Sequence, residues 1–400
     1  MSEVYFDLFV IICLGLFLRG IYKKYKLYDF PSLMSFIFLS FILPQAISLL
    51  RNPGIVSNSS VEKVLLMACL CVFMCWLGFT IKPSTALLNK FSYSANDKKL
   101  FVSGIFFSTV GLISILLLQR INIQTAVNSN WTGPATIIYF FGNLRHIGFA
   151  IILNLLLRRG GKINFTGLLF ALIPVLYMII VAGRRTSTFI FIITIGITIF
   201  YTKKILPSRL LIIAFVISTT FMIPLLGELR GEFWTLLFSG RFNEIDFSSG
   251  IDRILLSGDV LELRNAAMII EAVDRSGSFG YGSGFWNDIV FQYVPGQIVG
   301  YDFKKSLQFN STISEDIINF YGTSFSRGST HTGIGDSYLE FGFAGCLIFA
   351  LIAYFFKHIW LSSIYDSSIY SQFLYIGLIS PILIGVTHGV GIFFSTPYFK

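Results

Sequence analysis

The stretch "LFVSGIFFSTVGLISILLL" (Leu100–Leu118) decides the fold class of this chain. It contains no Asp, Glu, Lys or Arg, and a helix needs about 20 mainly apolar residues to cross the hydrocarbon core of a bilayer. Nine other runs satisfy or nearly satisfy the same rule. Together they predict ten membrane-spanning helices, near residues 4–21, 31–50, 64–81, 100–118, 135–157, 165–182, 186–201, 210–226, 338–356 and 371–393.

The composition supports the same fold class. Of the 400 residues, 54% are hydrophobic and 13% are charged, whereas soluble domains carry about 25% charged residues. The first apolar run lacks the basic n-region and cleavage site of a signal peptide, so we expect it to stay as a helix. We therefore predict an all-α, polytopic integral membrane protein with about ten transmembrane helices, in a range of roughly 10 to 12.

The charges between the runs predict orientation, because Lys and Arg stay on the cytoplasmic side of a membrane. Alternate connections are basic, which places both termini and the longest connection outside. Residues 1–226 would form helices 1–8, residues 227–337 a large extracytoplasmic loop with short helices, and residues 338–400 the C-terminal transmembrane helices. The loop holds fourteen Asp/Glu and eight Lys/Arg, although the whole chain is +9. The basic excess thus reflects cytoplasmic loops and does not indicate a nucleic-acid partner.

Two arginines interrupt the apolar pattern in "VAGRRTSTF" (Val181–Phe189). Arg184 and Arg185 stand just before a predicted helix, whose first N–H groups are unpaired and carry positive partial charge. Two guanidiniums beside such an N-terminus would bind a phosphate or diphosphate group. The alternative is that they anchor the chain to lipid headgroups. The short neighbouring runs also allow a partly re-entrant hairpin.

A second charge falls inside an apolar run, at Arg145 and His146 in "FGNLRHIGF". A charge at membrane depth costs at least about 3 kcal/mol on insertion scales unless it is paired or reaches water. Arg145 would therefore either pair with an acid such as Asp7 or Glu340, or belong with His146 to an intramembrane polar site.

The long loop contains two segments with local order. "SGDVLELRNAAMIIEAVDRSG" (Ser257–Gly277) has the spacing of an amphipathic helix, and the "GYGSGF" that follows is expected to be a turn, since no strand precedes it as a nucleotide fingerprint requires. The loop exit "FSRGSTHTGIGDSYLEFGFAG" (Phe325–Gly345) brings Arg327, His331 and Asp336 next to a membrane helix. A histidine there can act as general base near neutral pH, or it is simply a surface side chain. No His, Cys or carboxylate cluster has metal-ligand spacing, so we expect no metal and no other cofactor.

Three of these stretches, "AGRRTSTF", "LRNAAMIIEAVDRSGSFGYGSGF" and "THTGIGDSYLEFGFAG", resemble segments of the bacterial Wzy-type polysaccharide polymerases and the related O-antigen ligases. The resemblance extends to the arrangement of spans and to the late, large loop. It implies a metal-independent glycosyltransferase in the bacterial inner membrane that polymerises undecaprenyl-diphosphate-linked oligosaccharide repeat units on the outer face. Its partners would be the lipid-linked donor and acceptor, membrane lipids and a chain-length regulator protein, with no nucleic acid.

The resemblance also implies roles for individual residues. His331 or Asp336 would accept the proton of the acceptor hydroxyl, and the aromatic side chains of the loop would bind sugar rings. The diphosphate-binding candidates are Arg184, Arg185, Arg264 and Arg327; the glycan-binding candidates are Trp234, Tyr281 and Trp286.

Two alternatives remain beside the polymerase. An O-antigen-type ligase would transfer the glycan from the same carrier to another acceptor; this chain has Gly335-Asp336-Ser337 where ligases often have a His-Asn pair. A lipid-linked oligosaccharide flippase or transporter is the third reading. Transporters are commonly built from internal repeats, and the sequence shows no second copy of any segment.

Overall fold

A computed structural model gives the fold of the chain. It describes residues 1–91, 96–120, 138, 141–182, 184–215, 217–218, 236, 239–241, 261–294, 296–310, 313–325, 329–366 and 368–394. Within these ranges the regular structure is helical and no strand occurs. Eight helices in the described ranges are long and apolar enough to cross a membrane, which confirms the all-α polytopic membrane fold.

The helices are numbered here in chain order. They are α1 Ser2–Tyr22, α2 Phe30–Arg51, α3 Asn58–Thr80, α4 Thr85–Phe91, α5 Asp97–Arg120, α6 Leu144–Arg159, α7 Lys162–Val181, α8 Arg185–Lys203, α9 Leu261–Ser276, α10 Ser283–Tyr293, α11 Gly296–Val299, α12 Tyr301–Ser306, α13 Ile313–Tyr321, α14 Thr332–Phe341, α15 Cys346–Tyr365, α16 Ile369–Thr387 and α17 Val390–Phe394. The candidate spans are α1, α2, α3, α5, α7, most of α8, α14 together with α15, and α16.

Three predicted boundaries differ from the structure. The fifth run, predicted over 135–157, is represented by the 16-residue α6. Of the eighth run, 210–226, residues 210–215 are helical and most of the remainder lies outside the described residues. The ninth run begins earlier than predicted, because α14 continues through the 3-10 turn Gly342–Gly345 into α15 and the span starts at Thr332.

Two spans contain a π-helical turn, which accommodates one extra residue and often marks a functional site. In α2 the turn is Phe38–Ile42. In α7 it is Tyr177–Val181, at the end of the helix. The second turn leads directly into the arginine pair, and the Arg184 N–H donates back to the Met178 carbonyl.

The buried apolar side chains form two clusters. The larger one joins α1, α2 and α3 to α9, α14, α15 and α16. The smaller one lies among α5, α6 and α7. Helix α8 connects them, since Phe189 stacks on Phe36 of α2 with ring centroids 5.4 Å apart, and Phe191 lies 5.1 Å from the Phe149 ring of α6.

Helix α9, predicted as part of a loop, packs on the ends of the membrane helices. The Leu263 N–H donates to Gln45 Oε1 of α2 at 2.8 Å, and Glu271 accepts from the Ser57 N–H and the Ser60 hydroxyl at the start of α3. The amphipathic helix is confirmed over 261–276.

We call this end of the bundle, where α3 begins, α14 begins and α16 ends, the head end.

Candidate functional site

His331 and Asp336 meet at the head end. His331 precedes α14 and Asp336 lies on its second turn, which places His331 Nε2 3.7 Å from Asp336 Oδ1. The other carboxylate oxygen of Asp336 accepts the Gly391 N–H at 2.9 Å. Asp336 is buried and His331 is about one-third exposed. The two predicted catalytic residues therefore form one ion pair, with the imidazole open to a ligand.

Electrostatics favour the charged form of the His331 imidazole. Burial lowers its pKa, but hydrogen bonding and attraction to Asp336, and attraction to Asp288, raise it more, so the pKa lies above its ordinary 6.5. The upward direction favours a role for His331 as a cation beside the carboxylates over a role as the base.

Asp288 of α10 joins this pair and was not predicted. The Asp288 carboxylate packs directly on Gly391, the residue whose N–H binds Asp336: a Cβ added to this glycine would lie only 2.0 Å from Asp288 Oδ2. Burial and the neighbouring charge of Asp336 raise the pKa of Asp288 to about 7, with Glu340 acting in the same direction and His331 in the opposite one. Asp288 stands far from Asp336 along the chain, and no local motif marks it.

His388, at the end of α16, closes the cluster on another side. Its Nδ1 lies 2.7 Å from the Thr387 hydroxyl, and the Thr387 carbonyl accepts the Thr330 hydroxyl at 2.7 Å. Burial, and then repulsion from His331, lower the pKa of His388. The two imidazoles are thus shifted in opposite directions, His388 towards its neutral form and His331 towards its charged form. We define the acid–histidine cluster as Asp288, His331, Asp336 and His388.

The "GYGSGF" segment has a structural partner. The Glu340 carboxylate accepts the N–H groups of Gly282 at 2.6 Å and Gly284 at 3.1 Å. A Cβ on Gly280 would lie 2.5 Å from a Glu340 oxygen, and one on Gly284 would lie 2.2 Å away. These glycines thus cradle a carboxylate of the same chain, which fixes the start of α10 against α14 and thereby positions Asp288.

The arginine turn and Arg145 come together at the start of α8. Arg184 precedes the helix and Arg185 is its first residue. Arg145, buried at the start of α6, donates to the Gly142 carbonyl and, at 3.3 Å, to the Ser187 hydroxyl of α8. Arg145 and the arginine turn are separate features of the sequence. In the fold, the backbones of Arg145, Arg184 and Arg185 lie close together.

His146 sits beside Arg145 in α6. It is buried, and neither ring nitrogen has a hydrogen-bond partner within the described part of the chain. The suggested partner of Arg145, Glu340, is held by Gly282 and Gly284. The contact with Ser187 places Arg145 next to the arginine turn, and its part in an intramembrane polar site stays a prediction.

The arginine turn and the acid–histidine cluster lie at a similar height in the bundle. Tyr28 marks the same level on both helices. A Cβ added to Gly196 of α8 would lie 2.6 Å from the Tyr28 hydroxyl, and the Tyr375 hydroxyl of α16 donates to the Tyr28 carbonyl at 2.6 Å. Counted along each helix from this level, the first residue of α8 and the last residue of α16 lie about three turns away. At a rise of 1.5 Å per residue this is roughly 17 Å. Since α8 and α16 pack against each other, the two sites lie at the ends of neighbouring helices.

The remaining predicted residues have other surroundings. Arg264 donates to the Asn52 carbonyl at 3.0 Å, at the α2–α3 connection. Tyr281, just before α10, is 75% exposed, and Trp286 on α10 is 46% exposed with its indole N–H on the Leu307 carbonyl. Arg327 and Trp234 lie outside the described residues. Among the described residues, no group of three His, Cys, Asp or Glu side chains is arranged to hold a metal ion.

Comparisons with protein-family models, with curated proteins and with solved structures gave no match for this chain. The fold and the contacts of the site residues are therefore the basis for a functional argument.

Proposed function

We propose that this chain is a membrane glycosyltransferase that polymerises oligosaccharide repeat units carried on a polyprenyl diphosphate. The observation that carries the proposal is the common height of the arginine turn, at Arg184 and Arg185, and of the acid–histidine cluster, at the ends of the neighbouring helices α8 and α16. One site offers cations for a diphosphate, and the other offers carboxylates for a hydroxyl proton.

The proposed reaction uses these groups at the same time. An acceptor sugar hydroxyl attacks the anomeric carbon of the donor, and the polyprenyl diphosphate leaves with the electron pair of the broken bond. Cations near the start of α8 stabilise the charge that develops on the leaving group. A carboxylate of the cluster takes the hydroxyl proton. Tyr281 and Trp286 offer apolar ring faces to the sugars of the acceptor.

The setting that the family resemblance implies is the outer face of the bacterial cytoplasmic membrane, with undecaprenyl diphosphate as the carrier and a chain-length regulator protein as a partner. A ligase acting on the same donor would need the same two sites. We favour the polymerase because Gly335-Asp336-Ser337 occupies the position of the His-Asn pair often found in ligases.

The experiment compares lipid-linked glycans from a deletion strain complemented with variants. In the Arg184→Ala, Arg185→Ala double variant, we expect the ladder of glycan lengths to collapse to a single repeat unit. The matched control is Arg158→Ala with Arg159→Ala, which removes two adjacent arginines from the far end of α6. A normal ladder from the first variant would overturn the diphosphate role. A deletion strain that still builds long lipid-linked chains, but does not transfer them, would identify a ligase.

A further inference from the structure

We propose that Asp288 is a further catalytic residue of this chain, the carboxylate that accepts the proton of the attacking sugar hydroxyl. This inference rests on the glycosyl transfer proposed above and names the base that the sequence left open between His331 and Asp336.

The geometry of the cluster gives its two carboxylates different tasks. Asp336 is committed to partners inside the protein, because one oxygen accepts the Gly391 N–H and the other faces His331. Asp288 approaches the same glycine from α10, yet among the described residues its carboxylate accepts no hydrogen bond. Its lone pairs are therefore available to a hydroxyl donor.

The position of Asp288 on α10 connects it to the acceptor side. The exposed Tyr281 lies just before this helix, whereas the exposed Trp286, two residues before Asp288, is on a different face of α10. The Glu340 carboxylate, cradled by Gly282 and Gly284, holds this end of α10 against α14. This contact fixes the position from which Asp288 faces the cluster.

The charged groups that act on Asp288 lie on α14 or just before it, and a further histidine interacts with one of them. Asp336 and Glu340 lie on α14, and His331 lies just before it; His388 follows α16 and interacts with His331. The two carboxylates disfavour a third negative charge, and the His331 cation favours it. An effective general base has its pKa near the working pH. The opposing effects of these charges and of burial give Asp288 a pKa of about 7, which suits a base that works near neutral pH.

The step balances without a further reactant. The bond from the acceptor oxygen to the anomeric carbon forms, and the bond from that carbon to the diphosphate oxygen breaks. The electron pair leaves with the diphosphate, and the hydroxyl proton goes to Asp288. Protonation removes the negative charge of Asp288 from its acidic neighbours, and exchange with water restores the carboxylate.

The test uses the purified full-length chain in vesicles of phosphatidylethanolamine and phosphatidylglycerol. The substrate is the lipid-linked repeat unit extracted from the deletion strain. Asp288→Asn should lower kcat by about 10²–10⁴-fold, the usual contribution of a general base, with KM and polyprenyl diphosphate binding unchanged. Asp288→Glu should remain active, with the midpoint of its rate–pH profile displaced from that of the wild type. The control is Asp302→Asn on α12, an exposed acid of the same segment.

Two failures are distinguishable. If the wild-type chain does not elongate its substrate, the proposed polymerase function fails. If it elongates and Asp288→Asn keeps its kcat and the wild-type profile, the assignment of Asp288 is overturned while the function stands. Thermal unfolding in detergent shows whether Asp288→Asn folds. If it does not fold, the test rests on Asp288→Glu, and a rate–pH profile with the wild-type midpoint overturns the proposal.

Discussion

Gly391 donates its N–H to Asp336 over 2.9 Å, and the space that a side chain at 391 would need is taken by the Asp288 carboxylate. One glycine thus allows two acids, from α10 and α14, to approach each other. The contact depends on α17 lying across the start of α14. The acid–histidine cluster is therefore assembled from elements that are distant in sequence, and position 391 controls its spacing.

We predict that Gly391→Ala impairs activity by displacing Asp288. The new Cβ would lie 2.0 Å from Asp288 Oδ2 and 3.2 Å from the Phe285 ring. We expect transfer to fall at least tenfold and stability to fall by about 1–3 kcal/mol, as for overpacking. Activity of the purified chain and its thermal unfolding are the measurements. Gly15→Ala on α1 is the control, because nothing lies within 4 Å of its Cβ; full activity of Gly391→Ala would contradict the prediction.

The fold could largely be predicted from the sequence because a bilayer imposes one simple rule. Runs such as Leu100–Leu118 must be helical, since no water is present to satisfy an open backbone. The rule counts apolar residues, so it does not locate the start of a helix whose first turns contain polar residues. It missed the first turns of α14, where Asp336 and Ser337 are buried against other helices.

The site could be predicted only in part, for a related reason. His331 and Asp336 are five residues apart and were found together. Asp288 and Gly391 were not, because their contact depends on how α10 packs on α17. The pairing of Arg145 with Ser187 was missed in the same way. Local patterns report periodicity and charge, whereas the choice of neighbouring helix is set by three-dimensional packing.

A second glycine tests how the bundle is held together. A Cβ on Gly78 of α3 would lie 2.1 Å from the Ala350 carbonyl oxygen of α15. Apolar burial does little to drive helices together in lipid, so close packing at small residues stabilises the bundle. We expect Gly78→Ala to lower the unfolding temperature in detergent clearly below that of Gly15→Ala. Equal unfolding temperatures would show that α3 and α15 are not in this close contact.

The docking of α9 should depend on pH through Glu271. Burial raises its pKa, but hydrogen bonds from Ser57 and Ser60 outweigh this and lower it to about 2, from an ordinary 4.5. A depressed pKa adds stability above pH 4.5, and this stability is lost as the pH falls towards 2. Glu271→Gln should therefore cost about 1–3 kcal/mol at neutral pH.

The measurement is the difference in unfolding temperature between wild type and Glu271→Gln across this acid range. We expect the difference to shrink as the pH falls. Glu315→Gln on the exposed first turn of α13 is the matched control, and it should differ little from the wild type throughout. If the difference in unfolding temperature between wild type and Glu271→Gln stays constant with pH, the ionised form of Glu271 is not its cause.

Arg145 allows the two readings of a buried arginine to be separated. Its guanidinium bonds the Gly142 carbonyl and the Ser187 hydroxyl beside the arginine turn. A methionine of similar length removes the charge and keeps much of the packing volume, so the variant separates the role of the charge from that of packing. If Arg145 contributes to a diphosphate site, Arg145→Met should unfold within a few degrees of wild type but bind polyprenyl diphosphate at least tenfold more weakly, about 1.4 kcal/mol. Arg145→Lys should recover only part of the affinity, since an ammonium lacks the planar fork that binds two oxygens together. Tight binding by Arg145→Met would instead assign Arg145 a structural role.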